Sequence, residues 1–255
     1  MKKIISSLLS VTILFSLSIP AFAAEPQNTF SDDAFAMWAS VPELKINEET
    51  LSKSSDPIIR ENSDYLIAEA AKIKTMSIDE LNTYINNIYS KYNSATTRSI
   101  QPPGTINILQ LKAAWLAAAQ AAKLLGYPCA AKAVEHSVLA QNYTENDGAF
   151  AAKIKTSSAF KNFLSSTKNS NKTSNKKVVE FTKSDNSDLF YALHNATVTL
   201  TKSGTKYKTN IYDVFDFALD NDYSSIFTTA VNNWAWLCQN TFVLHKIKIN
   251  VNFTA

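Results

Sequence analysis

The chain has 255 residues, 45% of them hydrophobic and 18% charged, with 25 basic against 22 acidic side chains and a formal net charge of +3. So small a surplus gives no long-range steering toward nucleic acid or anionic lipid. Four glycines leave no phosphate cradle, no GxSxG, HExxH, P-loop or CxxC pattern occurs, and three histidines without a dense ligand cluster argue against structural zinc.

Met1-Lys2-Lys3, the apolar run Ile4 to Pro20 and Ala21-Phe22-Ala23 have the three parts of a secretory signal. Cleavage is expected after Ala23, giving a secreted, extracellular chain of residues 24–255. Losing Lys2 and Lys3 leaves 23 basic against 22 acidic residues, so the net charge falls from +3 to +1. The apolar run is too short and serine-rich for a comfortable membrane span, and no cysteine follows it to carry a lipid anchor.

Residues 24–92 are expected to form a helical N-terminal region. Asp56-Pro57 reads as an N-cap with proline at the first helical position, opening a helix from Ile58 through Lys74. Ser77-Ile78-Asp79-Glu80 is a capping box, and the helix it opens lines up Leu81, Ile85, Ile88, Tyr89 and Tyr92. Residues 93–104, ending in Pro102-Pro103-Gly104, read as a linker and the main domain boundary. Helices tethered by such a linker, with Arg98 open to a protease, are expected to be a pro-segment, a chaperone or a packing module.

An α+β domain is expected over 105–255: a helical hairpin packed with a small antiparallel sheet or half-barrel. Ile106 to Leu125 is an alanine-rich helix, interrupted by Gln110, Lys112, Gln120 and Lys123 and so not a membrane span. Gly126 ends it and Pro128 starts its partner, to about Gln141. Residues 142–148 read as a polar loop, Ser157 or Ser158 as the cap of a short helix, and 165–177 as a mobile connector. Its lysines lack the interleaved aromatics of a nucleic-acid groove. A strand follows over Lys177 to Lys183, then a helical turn from Asp188 to His194. Ala196 to Thr201 alternates apolar and polar, Ser203-Gly204 marks a tight turn, and Tyr207, Thr209, Ile211, Asp213, Phe215 and Phe217 share the face of the returning strand. An amphipathic helix over Tyr223 to Gln239 and a closing strand from Val243 to Phe253 complete the chain.

Two polar residues sit in phase with apolar ones. Asp213 shares a face with Ile211 and Phe215, and His245 with Ile247 and Ile249. A carboxylate on a buried face needs a partner, and an imidazole is one, so Asp213 and His245 are expected to meet across the sheet. The other reading is a carboxylate at a bulge and a satisfied sheet-edge histidine. Asp220-Asn221-Asp222 has the spacing of a calcium-loop start, but Val231 stands where the bidentate Glu should be, and a helix N-cap explains the acids better. His136 and Ser137 diverge by about 100° on a helix and form no dyad. No cofactor is implied, and a divalent metal remains open. Cys129 and Cys238 admit a disulfide, worth about 4–5 kcal/mol for so long a loop. Two buried thiols are the alternative, and spacing does not choose between them.

From Leu111 onward the order of segments resembles secreted proteins of Gram-positive bacteria that include the streptococcin-type, non-lantibiotic bacteriocins. The matching pieces are the alanine-rich helix, Ala133-Val-Glu-His136-Ser137, Ile154-Lys-Thr-Ser-Ser-Ala-Phe160, Asp188-Leu-Phe-Tyr-Ala-Leu193 and Asp213-Val-Phe-Asp216-Phe217. The resemblance implies an antagonist of other bacteria acting at an envelope component or lipid precursor, with a cognate immunity protein. A non-catalytic exported binding protein, reaching its target through exposed aromatics such as Trp236, or a structural protein is the alternative. The Asp213-x-Phe215-Asp216 core is also similar to the acidic motif of colicin M-type toxins, phosphodiesterases that cleave the lipid-linked cell-wall precursor. That similarity implies catalytic roles for Asp213, Asp216 and His245. The family's downstream His-Arg pair has no counterpart, because Phe217-Ala-Leu-Asp-Asn-Asp-Tyr223 stands there.

Overall fold

The computed structural model describes residues 45–96, 105–216, 238 and 241–255. The expected signal segment, Phe217, the acids at 220–222 and Trp236 lie outside the described residues, as does the helix expected over Tyr223 to Gln239 apart from Cys238.

The fold is α+β. Four helices come first among the described residues: α1 (Glu48–Ser52), α2 (Pro57–Glu61), α3 (Ser63–Thr75) and α4 (Ile78–Thr96). Asp56 caps α2, its Oδ1 accepting from Ile58 N at 2.9 Å. The single helix expected from Ile58 to Lys74 breaks at Asn62, whose side chain donates back to Ile58 O at 2.8 Å in competition with the backbone ladder. The capping box at α4 is present, with Glu80 Oε2 accepting from Ser77 N at 2.8 Å. That helix continues through Asn93–Thr96, where the linker was expected to begin.

Helices α5 (Thr105–Leu124) and α6 (Pro128–Val138) form the hairpin. With Ala113, Ala114, Ala117, Ala119 and Ala121 buried, α5 is packed on nearly every side. No helix among the described residues is long and apolar enough to cross a membrane. Leu51, Ile59, Leu66, Ile73, Leu81 and Ile85 from the first four helices share one core with Leu109, Trp115 and Leu116 of α5. The N-terminal helices therefore pack on the hairpin rather than beside it.

Next come β1 (Tyr143–Asn146), α7 (Ala149–Thr156), α8 (Ser158–Asn169), β2 (Ser174–Glu180), α9 (Ser187–Ala192), β3 (Asn195–Ser203), β4 (Lys206–Phe215) and β5 (Ile247–Thr254). The expected connector over 165–177 is the end of α8, a four-residue turn and an edge strand. Asn175 Nδ2 ties that strand to the buried Thr167 Oγ1 at 2.9 Å. The strands lie in the order β1-β5-β4-β3-β2. The sheet is mixed rather than purely antiparallel, because β1, inside the expected polar loop, runs parallel to β5. Gly204 at φ 64° takes the first position of the two-residue turn between β3 and β4, the position that demands glycine there. The inner face of the sheet, with Val198, Leu200, Ile211, Phe215, Ile249 and Val251, packs on Phe150, Ile154, Phe160 and Leu189 in a second core.

Candidate functional site

Helix α6 stops three residues short of its expected end because Ala140 turns left-handed at φ 53° and Gln141 N donates back to His136 O at 3.0 Å. The stop frees carbonyls that the N-terminal region then occupies. Ser54 Oγ donates to Leu139 O at 2.7 Å, and Ser55 Oγ to Ala140 O at 3.0 Å. The negative end of the helix also favours a cation. Lys112, wholly buried on α5, supplies it.

The Lys112 ammonium lies 2.9 Å from Asp56 Oδ2, 3.1 Å from Val138 O and 3.0 Å from Val243 O. Three acceptors use its three protons. His245 Nε2, at 3.3 Å from Nζ, is therefore a neighbour and not an acceptor, and it gives its own proton to Asp56 Oδ2 at 3.1 Å. This proton count assigns the Nε2–H form of the ring. Burial would raise the Asp56 carboxyl, but His245 and Lys112 outweigh it and hold the group well below the usual carboxylate range. Burial pulls the Lys112 ammonium down, and Asp56 restores part of the loss. The His245 backbone is pinned as well: Ser137 Oγ donates to its carbonyl at 2.8 Å, and its N–H donates to Ser137 O at 3.0 Å. Asp56 and Lys112, both buried, and the partly exposed His245 thus form a clasp joining α2, α5, the end of α6 and the approach to β5.

His245 also lines an open cleft of about 510 Å³ with Lys53, Ser55, Ala140, Gln141, Asn142, Lys246 and Ile247. The polar groups around it already serve others. Gln141 Nε2 donates to Thr50 O at 2.7 Å, Asn142 Oδ1 accepts from Lys248 N at 2.8 Å, and Lys53 pairs with Glu49 at 2.7 Å. The Asp–His pairing resembles the base and orienter of a hydrolase, but the hydroxyl of Ser55, which lines the same cleft, donates to Ala140 O.

The residues singled out for catalysis are not gathered. Asp213 lies opposite Ile249 in the sheet, four residues along the chain from His245, or about 13 Å at strand rise. The imidazole is paired with Asp56 instead. Asp216, exposed at the end of β4, pairs with Lys246 Nζ at 2.9 Å. The disulfide is a correction: both cysteines are free and buried. Cys129 belongs to the sheet-side core and Cys238 to the helical one, so the thiols fill apolar space on two different sides of the molecule. Among the described residues no three His, Cys, Asp or Glu side chains gather where they could hold a metal ion.

Asp213 is itself perturbed by its surroundings. Burial, helped by Asp216, pushes its carboxyl up to about 7 from 3.8, against a backbone hydrogen bond from Val214. Between those values the folded state keeps a proton that the unfolded chain has lost, so this residue lowers stability progressively as pH rises from 4 to 7 and fully above it. Asp213→Asn is expected to raise the melting temperature by several degrees at pH 8 and by less at pH 5, as read by thermal denaturation at both.

Three further carboxylates form a pattern that reading segment by segment does not find. Each serves a helix start from another element. Asp188 of α9 accepts from Cys129 N at 3.1 Å and Ala130 N at 2.9 Å at the start of α6, and pairs with Lys153 Nζ at 2.7 Å. Glu145 of β1 accepts from Ala151 N of α7 at 2.9 Å, and Asp185 accepts from Ser158 N of α8 at 2.8 Å. The residues immediately before α6 and α7, Tyr127 and Gly148, make no side-chain cap, so the remote acids replace it.

No family model, characterised protein or solved structure matches the chain.

Proposed function

We propose that this protein is a secreted, bacteriocin-like antagonist that acts at the envelope of other bacteria, and that it acts by binding rather than by cleavage. What supports the reading is where the segments resembling the bacteriocin group fall. Four of the five carry a buried polar joint of the fold: Lys112 in the alanine-rich helix, Ser137 against His245, Ser157 capping α8 by accepting from Phe160 N at 3.2 Å, and Asp188 at the start of α6. Such joints are the part of a sequence that a shared scaffold would keep. The fifth holds Asp213 and Asp216, which with His245 do not converge on a common point, so lipid-pyrophosphate cleavage is not carried forward. A non-catalytic exported protein without antagonist activity is the competing reading.

The purified protein spotted on lawns of Gram-positive bacteria is expected to clear those of at least some strains, with protection by a cognate immunity protein. Unimpaired growth of every lawn at the highest soluble concentration would overturn the antagonist reading and leave the exported binding or structural one.

A further inference from the structure

The outer face of the sheet is dominated by lysine, threonine and asparagine side chains. Register places Lys176, Thr199, Asn210, Asn252 and Asn146 in one row across all five strands, about 19 Å at the usual strand spacing. Asn210 Nδ2 donates to Asn252 Oδ1 at 2.8 Å and Asn252 Nδ2 to Asn146 Oδ1 at 3.2 Å, so the amides form a fixed ladder. The row on one side reads Val178, Thr197, Tyr212, Asn250 and Thr144, and the row on the other Ser174, Thr201, Lys208 and Thr254. No carboxylate occurs in these three rows; Glu180, exposed at the end of β2 opposite Asn195, is on the same face. Lys206 and Lys248 stand at opposite ends of the same face, in register with Ser203 and Val214.

Lys176, Lys206, Lys208 and Lys248 are exposed, and none is in an ion pair among the described residues. Other lysines are matched, among them Lys53 with Glu49, Lys72 with Glu69, Lys155 with Asp147 and Lys246 with Asp216. Four unmatched cations on a five-strand platform of hydroxyls and amides, with the exposed ring of Tyr212 among them, are complementary to a chain that alternates anions with hydroxyls. Apolar cover is sparse, with Val178 and Val214 the exposed aliphatics on this face, which disfavours both insertion into a bilayer and a dry protein interface.

We propose that this face binds an extended polyol-phosphate polymer of the bacterial envelope, with the lysines on the phosphates and the Thr and Asn side chains on the polyol hydroxyls. Lys206 and Lys208, two residues apart on one strand and so about 7 Å apart, match the reach between successive phosphates of a short polyol repeat. The assignment names a partner class for the envelope reading above and rests on it for its biological setting, but not for its measurement.

The test is binding of the purified protein to delipidated glycerol-phosphate polymer by calorimetry at 0.05 and 0.2 M salt, beside a neutral glucan and phosphatidylglycerol vesicles. The polymer is expected to bind with an affinity that falls steeply with salt, and the glucan not to bind. The Lys176→Gln/Lys208→Gln/Lys248→Gln variant is expected to bind at least tenfold more weakly with its melting temperature unchanged. Absence of polymer binding, equal binding by the triple variant, or tighter binding to the vesicles would each overturn the proposal. Cleared lawns without polymer binding would remove this surface and keep the antagonist; polymer binding without cleared lawns would do the reverse.

Discussion

Lys112→Met is expected to cost about 3–5 kcal/mol of stability, the usual penalty for stranding one member of a buried ion pair, and to lower the melting temperature by about 10 °C. Met retains much of the apolar bulk of the lysine stem, so little of the loss comes from a cavity. It removes the counterion of Asp56, which is buried beneath His245, and strips donors from Val138 O and Val243 O. Asp56→Asn/Lys112→Met should recover part of the loss, since removing both charges leaves no stranded ion, and a coupling energy of at least 1.5 kcal/mol is expected. The carboxyl of Asp56, held below its usual range, contributes stability that is present above about pH 4 and is lost as pH falls toward its folded value. Wild type and Lys112→Met should therefore converge in acid, and urea titrations at pH 7 and pH 3 would show it.

Asp188→Ala should be comparably severe, about 3–5 kcal/mol. One carboxylate, 2% exposed, satisfies two backbone donors in the first turn of α6 and meets the nearly buried ammonium of Lys153. Removing it breaks the tie between α6, α7 and α9 at once. Asp188→Asn keeps acceptor oxygen for one donor and gives up the charge, so it should fall between alanine and wild type. Urea denaturation orders the three; an alanine variant within 1 kcal/mol of wild type would show that the remote cap is dispensable.

Local signals carried the legible part of the fold. The capping box at Ser77, the Asp56-Pro57 start, the alanine-rich helix and the alternation from Ala196 to Phe215 each depend on neighbours in sequence, and each is where the pattern put it. What escaped depends on partners far along the chain. Strand β1 has only the four residues Tyr143–Asn146, without alternation, and exists because β5 lies beside it. Helix α7 begins at a glycine with no cap of its own, and its cap, Glu145, comes from that unforeseen strand.

The site divides in the same way. Periodicity identified His245 as a polar residue on an apolar face and offered it as the partner of Asp213, but its acid is another one. The acid is Asp56, 189 residues away. At the sequence level Asp56 reads as a helix cap, which it also is: Oδ1 takes Ile58 N while Oδ2 takes the imidazole and the ammonium. A residue already explained by one local role hides its second. Lys112 was equally concealed, since a lysine in an alanine-rich helix reads as an interruption of a membrane span rather than as a buried cation.

The most direct measurement is the killing titre, and turnover of lipid-linked pyrophosphate precursor, for Asp213→Asn/Asp216→Asn beside wild type. With the imidazole of His245 committed to Asp56, the double variant is expected to keep its killing titre within about threefold, and neither protein to release product. Loss of killing or of turnover in a variant whose far-UV spectrum matches wild type and whose melting temperature is no lower would show that the two acids act on a substrate, and would contradict binding as the mode of action.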